Sequence, residues 1–298
     1  MVLHEYLKMV LSGKSLYRMA HNERFGMYLK TIKNVMKKLK KDRFLLLFFF
    51  SGFLLVAFVF VTLGDMFYRQ SGDISALISA AKDSTILTAI WISISAASVS
   101  ALIAFIFGVP LAYILARKDF AFKSVIEGII DIPIMIPHVV AGIALYGVFM
   151  RSGIIGAPFG KIGVVFVDAF PGIVAAMLFM SLPYLVDTAR EGFKTVDPRL
   201  ENVSRSLGAS QWTTFRRITF PLASPSIFNG CILCWARGVS EFSAVLIIAY
   251  FPKSAPVLIY DLFTMYGLTS SRPASILLVS ICLVIFIILR ASKHGERR

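Results

Sequence analysis

Two pairs of charged residues interrupt stretches of sequence that are otherwise apolar. Arg237 and Glu241 are four residues apart, and so are Glu127 and Asp131. Residues at this spacing share one face of a helix, and a lone charge near the centre of a bilayer costs about 2.5–3.5 kcal/mol. We therefore expect Arg237 and Glu241 to pair. The pair either locks helices or two copies of the chain together, or lines and gates a path for an anion.

The second pair allows other uses of its carboxylates. Glu127 and Asp131 are expected to face Arg237 or the basic residues of segment 117–123. A proton relay through these carboxylates is a less favoured alternative.

The remaining reactive side chains do not form a catalytic or metal-binding pattern. Cys231 and Cys234 make a C-x-x-C, but they lie in an apolar stretch, as does Cys282, which favours small buried thiols. The four histidines are scattered, and His138 is interpreted as a packing residue. No nucleophile, base and orienting group come together, and no phosphate-binding G-x-x-x-x-G-K-[ST] is present. We expect no enzyme activity and no cofactor in this chain.

The elements that must position these residues are membrane-spanning helices. Of 298 residues, 57% are hydrophobic and 16% are charged, with a mean hydropathy of +0.76, whereas soluble proteins have about 45–50% apolar and about 25% charged residues. A helix needs about 20 apolar residues to cross a bilayer. Six segments qualify: 44–63, 84–116, 124–150, 169–186, 222–249 and 273–290. Prolines at 133 and 137 predict a bend in the third.

The distribution of basic residues predicts the orientation of the chain. Of 31 Lys and Arg, 24 lie in the amino-terminal segment, the second and fourth connections and the carboxyl-terminal tail, and 6 lie in the alternate loops. The positive-inside rule places both termini in the cytoplasm. The net charge of +14 therefore reflects sidedness in a cell membrane. Nucleic-acid binding by the basic first 43 residues is a less favoured alternative.

The inner loop 187–221 has the signals of two short helices. Asp197 can cap a helix that starts at Pro198, Gly208 can end it, and Ser210 can cap a second helix. In the first helix, Leu200, Val203 and Leu207 form an apolar stripe. Because isolated helices this short are marginal in water, the stripe should be buried, either against the chain's own inner surface or in another protein.

This loop resembles the EAA loop of ABC-importer permeases. In the stretch ENVSRSLGASQWTTFRRITFPL, Gly208 and Pro221 keep the family's thirteen-residue spacing. The family's Glu-Ala-Ala is replaced by Asn202, Val203 and Ser204, and Glu201 stands one residue early. The resemblance implies that this helix couples the chain to an ATPase. The predicted coupling residues are Arg199, Leu200, Glu201, Asn202, Val203, Ser204, Arg205, Leu207 and Gly208.

Two further stretches narrow the resemblance. DIPIMIPHVVAGIALYGVF and WARGVSEFSAVLIIAYFP are similar to segments of molybdate/tungstate permeases of the archaeal type, and related but less similar stretches occur in sulfate permeases. The resemblance covers residues 85–289. It implies an all-α, type I ABC-importer permease fold with six spans. It also implies a second copy of the chain, two ATP-binding cassette subunits that hold ATP and Mg²⁺, and an extracytoplasmic oxyanion-binding protein.

These expectations divide the chain into segments and leave two alternative functions. A basic cytoplasmic segment 1–43 precedes the first span at 44–63, a permease core covers 84–290 and contains the coupling loop 187–221, and a cytoplasmic tail covers 291–298. The outer loop 250–272 is rich in aromatic residues, which is typical of a membrane-interface belt or of a surface for a delivering protein. A sulfate permease and a proton-coupled secondary transporter that uses Asp131 or Glu241 remain alternatives.

Overall fold

The structure is a computed structural model, and it describes residues 43–295. Residues 1–42 of the predicted basic segment and residues 296–298 of the predicted tail lie outside the described residues. The described residues fall into two units, 43–68 and 69–295. Within residues 43–295 every regular element is a helix. In chain order the helices are α1 (Arg43–Ser71), α2 (Ile74–Ala80), α3 (Ser84–Arg117), α4 (Lys123–Met135), α5 (His138–Phe149), α6 (Gly156–Gly160), α7 (Phe170–Lys194), α8 (Pro198–Ser206), α9 (Gln211–Thr214), α10 (Phe220–Val239), α11 (Ser243–Ile248) and α12 (Ala255–Gly295).

Five described helices are long and apolar enough to cross a membrane, or six when the bent pair α4 and α5 counts as one span. The second predicted span agrees with α3 to within one residue. Three others were predicted too short: α1 runs eight residues beyond 63, α7 runs eight beyond 186, and in α12 the helical segment that follows a kink at Gly267 begins before 273. Helices continue past the apolar segment because polar residues can extend a helix into water.

The third span is broken. Helices α4 and α5 meet at an angle of 113° across Ile136 and Pro137. Pro137 has no amide hydrogen to donate, and it disfavours helical geometry in the residue before it; Ile136 is extended accordingly, with φ −82° and ψ 146°. The bend expected from the prolines is confirmed.

The fifth span was predicted as one helix over 222–249, and this was wrong. Helix α10 ends at Val239, and α11 starts only at Ser243. The Glu241 carboxylate accepts a hydrogen bond from the backbone N–H of Ala244 at 3.0 Å. A side chain thus satisfies an amide in the first turn of α11, which stabilises a new helix start that no proline announces.

Small residues allow α3, α7 and α10 to pack closely around one core. Ala96 and Ala97 of α3 are fully buried, and the Ser100 hydroxyl donates to the Val174 carbonyl of α7 at 2.9 Å. A Cβ on Gly238 of α10 would lie 3.4 Å from the Ala97 Cβ. The serine- and alanine-rich second span therefore acts as a close-packing surface.

Helix α12 contains one non-helical residue. Gly267 has φ 80° and ψ −174°, a conformation that favours glycine. This kink divides α12 into two helical segments, and the first of them lies within the predicted outer loop 250–272.

Candidate functional site

The coupling loop folds into the two short helices that its capping signals predict. The Asp197 carboxylate accepts a hydrogen bond from the Arg199 N–H at 2.9 Å, and the Ser210 hydroxyl accepts one from the Thr213 N–H at 3.1 Å. Gly208, the second residue after α8, has φ +89°, which allows the chain to turn there. Local sequence alone thus specifies where α8 and α9 begin and where α8 stops.

The apolar stripe of α8 faces outward. Leu200 is 47% exposed, Val203 59% and Leu207 84%, and Trp212 of α9 is 68% exposed. The alternative that the stripe packs against the chain's own inner surface is wrong for this structure. An exposed set of large apolar side chains on short helices is typical of a surface that another protein covers.

Glu201 holds the opposite side of α8 against the body of the protein. Its Oε1 lies 2.8 Å from Arg117 Nε at the end of α3 and accepts a hydrogen bond from the Thr219 hydroxyl at 3.0 Å. Arg117 also donates to the Val196 carbonyl at 2.8 Å. The glutamate that stands one residue early in the motif therefore points inward, where it ties α8 to α3 and to the base of α10.

The coupling loop continues without a break into the fifth span. A π-helical turn, Phe215–Thr219, joins α9 to α10, so that the helix runs from Gln211 to Val239 over 29 residues. The Phe215 ring packs edge-on against Tyr113 of α3, with 5.0 Å between ring centroids. The Ser204 and Thr214 hydroxyls lie 3.0 Å apart, which links α8 to α9.

Arg237 and Glu241 form the expected ion pair, and a histidine joins them. Arg237 Nη2 lies 2.7 Å from Glu241 Oε2 and 3.0 Å from His138 Nε2, and His138 Nδ1 lies 3.3 Å from Glu241 Oε2. The Glu241 side chain is fully buried, whereas Arg237 is 17% and His138 is 44% exposed. His138 was interpreted as a packing residue. Its position after Pro137, at a helix start, was the signal that it lies at a break.

Glu127 and Asp131 face a different partner from those expected. Glu127 lies 3.1 Å from Arg190 of α7, and Arg190 also lies 3.1 Å from Asp187. Arg237, which was expected to attract them, pairs with Glu241. Asp131 has a buried carboxylate oxygen without a hydrogen-bond partner within the described part of the chain. These carboxylates thus belong to the contact between α4 and α7.

A polar cluster fixes the loop between α11 and α12. Lys253 Nζ and the Tyr250 hydroxyl approach Asp261 Oδ2 at 2.7 and 2.8 Å. The hydrogen bond to Asp261 raises the pKa of Lys253 above its usual value. Asp168, with φ 49°, accepts a hydrogen bond from the Tyr250 N–H at 3.0 Å. The cluster therefore connects this loop to the segment before α7.

Within residues 43–295, no three His, Cys, Asp or Glu side chains are grouped to hold a metal ion. Cys231, Cys234 and Cys282 are free thiols. Cys234 donates to the Ser181 hydroxyl with a sulfur–oxygen distance of 3.2 Å. The three cysteines are therefore part of the helix packing.

The family described as "Binding-protein-dependent transport system inner membrane component" matches residues 108–297. This range includes the broken spans, the coupling loop and the Arg237 cluster. The chain belongs to this family. As an inner membrane component with five or six candidate spans, it is a multi-pass membrane protein.

Relatives in two archaeal organisms are similar to this chain over most of their own length. The chain is 45% identical over 252 residues to the molybdate/tungstate transport system permease protein WtpB of Thermococcus kodakarensis, covering 85% of this chain and 97% of that one. It is 44% identical to the corresponding protein of Pyrococcus abyssi, covering 84% and 96%. Substantial identity over nearly the whole relative supports a common fold and role.

Two solved structures share the fold of this inner membrane component at low sequence identity. A chain of a bacterial ABC transporter that imports the acidic polysaccharide alginate aligns with a TM-score of 0.69 at 15% identity, covering 89% of this chain and all of that one. A chain of the alginate transporter in complex with its pentasaccharide-bound periplasmic protein aligns with a TM-score of 0.59 at 17% identity, covering 80% and 92%. The fold is that of an ABC-importer permease.

Proposed function

We propose that this chain is the membrane-spanning subunit of an ATP-driven importer for molybdate or tungstate. The observation that carries the proposal is the likeness to WtpB proteins, which extends over nearly their full length. The oxyanion substrate is taken from those relatives, and a sulfate-type oxyanion is the nearest alternative.

The exposed stripe of α8 and α9 supports the assignment of a coupling surface. Leu200, Val203, Leu207 and Trp212 offer apolar area, while Glu201 fixes α8 to the core. A surface that is apolar outside and anchored inside can pass on the movement of a docked partner. In this proposal each ATP-binding cassette subunit covers that stripe from the cytoplasm and binds ATP and Mg²⁺ itself.

The proposed complex contains two copies of this chain, two ATPase subunits and an extracytoplasmic oxyanion-binding protein. The alginate importer that shares the fold works with a periplasmic binding protein. Large apolar side chains of α4 and α5 are exposed, since Met135 is 80% and Ile143 59% accessible. In the proposed complex a second copy of the chain or lipid covers them. The complex lies in the cell membrane, and nucleic acid has no role in it.

The coupling surface is tested by placing charge on it. Leu200→Glu combined with Val203→Glu should abolish co-purification of the ATPase subunit, because burying two carboxylates in an apolar contact is strongly unfavourable. Ile154→Glu combined with Ile162→Glu is the matched control, since these side chains are 82% and 72% exposed on a predicted outer loop. Retention of the ATPase by the α8 variant, or its loss from the control, would contradict the assignment.

A proton-coupled carrier is the rival of a different class. It predicts uptake into vesicles that follows a pH gradient and needs no second subunit. The importer predicts uptake only with the ATPase, ATP and the loaded binding protein. Measuring uptake under both conditions with radioactive molybdate, tungstate and sulfate decides between the mechanisms and ranks the substrates.

A further inference from the structure

Two helix breaks meet inside this fold. One separates α4 from α5 at Ile136 and Pro137, and the other separates α10 from α11 at residues 240–242. They lie within the predicted spans 124–150 and 222–249. Helices α5 and α11 are in close contact, since a Cβ on Gly142 would lie 2.9 Å from the Ile247 Cβ. Non-helical backbone at membrane depth is tolerated only where protein buries it or where it lines a water-filled cavity.

Between these breaks, the Glu241 carboxylate is buried, and the nitrogen donors of Arg237 and His138 lie on the accessible side. Glu241 is fully buried, and its Oε1 is held by the Ala244 N–H at 3.0 Å. Arg237 and His138 lie on its exposed side, with 17% and 44% of their side chains accessible. Groups of this polarity are unfavourable against lipid, so their open side is expected to face water or protein.

The start of α5 adds a third feature that favours negative charge. Helix α5 has twelve residues, and no side chain caps its first turn. Free N–H groups and the helix dipole give such an end a partial positive charge. Because His138 is the first residue of α5, this end lies beside the Arg237 guanidinium.

We propose that Arg237, His138 and the first turn of α5 form a transit site for a tetrahedral, doubly charged oxyanion. The proposal rests on the proposed function and specifies where the dianion sheds part of its hydration shell. Glu241 neutralises one positive charge from behind. The site therefore attracts the dianion without retaining it, as permeation requires.

The test uses the complete complex of permease, ATPase subunits and binding protein in proteoliposomes. Arg237→Gln and His138→Ala should each lower molybdate uptake per assembled complex by about tenfold or more, because a charge-assisted donor is lost. Size-exclusion chromatography of the same complexes reports whether the variants remain assembled. Arg190→Gln is the control, since Arg190 is also 17% exposed and paired with carboxylates. It should change the yield of complex but not the uptake per complex.

Charge reversal separates a transit site from a packing role. Arg237→Glu combined with Glu241→Arg keeps an ion pair but brings a carboxylate to the exposed side, so uptake should remain low. Full uptake by this variant, or unchanged uptake by Arg237→Gln, would overturn the proposal. Failure of the proposed function is recognised separately, because the parent complex would then show no ATP-dependent uptake.

Discussion

Glu201 illustrates how a single residue can depart from a motif and still perform a structural task. It stands one position before the expected glutamate, and its carboxylate contacts Arg117 and Thr219. The caps of α8 could be predicted from sequence because Asp197 and Gly208 act locally. The partners of Glu201 could not, since Arg117 is 84 residues away in the chain.

The Arg117–Glu201 pair should contribute measurably to stability. Its side chains are only 9% and 14% exposed, so Glu201→Ala leaves a largely buried guanidinium without its counter-ion and should destabilise the protein by about 2–3 kcal/mol. Asp119→Ala removes a carboxylate from the Lys123 pair, in which Asp119 is 99% exposed, and should cost less than about 1 kcal/mol. Thermal unfolding in detergent compares the two variants. Equal effects would contradict the anchoring role of Glu201.

At the scale of elements, the two broken spans differ in how far sequence predicts them. Pro137 announces the break between α4 and α5, because proline removes a hydrogen bond and constrains its neighbour. The break after Val239 has no such residue. It depends on Glu241, whose carboxylate caps α11 and pairs with Arg237. The four-residue spacing of Arg237 and Glu241 predicted this ion pair, but the apolar stretch around it predicted one unbroken helix.

The close contact between α5 and α11 should depend on a small residue at position 142. A Cβ there would lie 2.9 Å from the Ile247 Cβ and 3.0 Å from the Ala244 Cα. Gly142→Ala should therefore destabilise the protein by about 1–3 kcal/mol. Gly147→Ala on the same helix meets nothing within 4 Å and should be neutral or stabilising by at most about 1 kcal/mol. Melting temperatures in detergent test the contrast, and a tolerant Gly142 would contradict the packing.

For the whole molecule, composition was sufficient to predict a membrane protein, and the helical structure agrees with it. The ends of the spans were less predictable, because α7 and α12 continue through polar residues where hydropathy falls. The orientation rests on the distribution of Lys and Arg and stays a prediction.

Sidedness can be measured with single cysteines in a chain whose Cys231, Cys234 and Cys282 have been replaced by serine or alanine. Arg205→Cys, in the coupling loop, should react with a membrane-impermeant maleimide only after the cells are permeabilised. Arg151→Cys, in the predicted outer loop, should react in intact cells, since both positions are exposed. The opposite pattern would invert the topology and remove the coupling loop from the reach of a cytoplasmic ATPase.

The helix from Gln211 to Val239 connects the proposed contact with the ATPase to the proposed transit site. At about 1.5 Å per residue, its 29 residues span about 43 Å, with Trp212 near one end and Arg237 near the other. A π-helical turn and Pro225 lie between the two ends, yet the chain stays helical throughout, so in the proposed importer a displacement at the first end is expected to move the second. In the proposed importer, opening of the path near Arg237 would then follow each cycle of the ATPase that contacts Trp212.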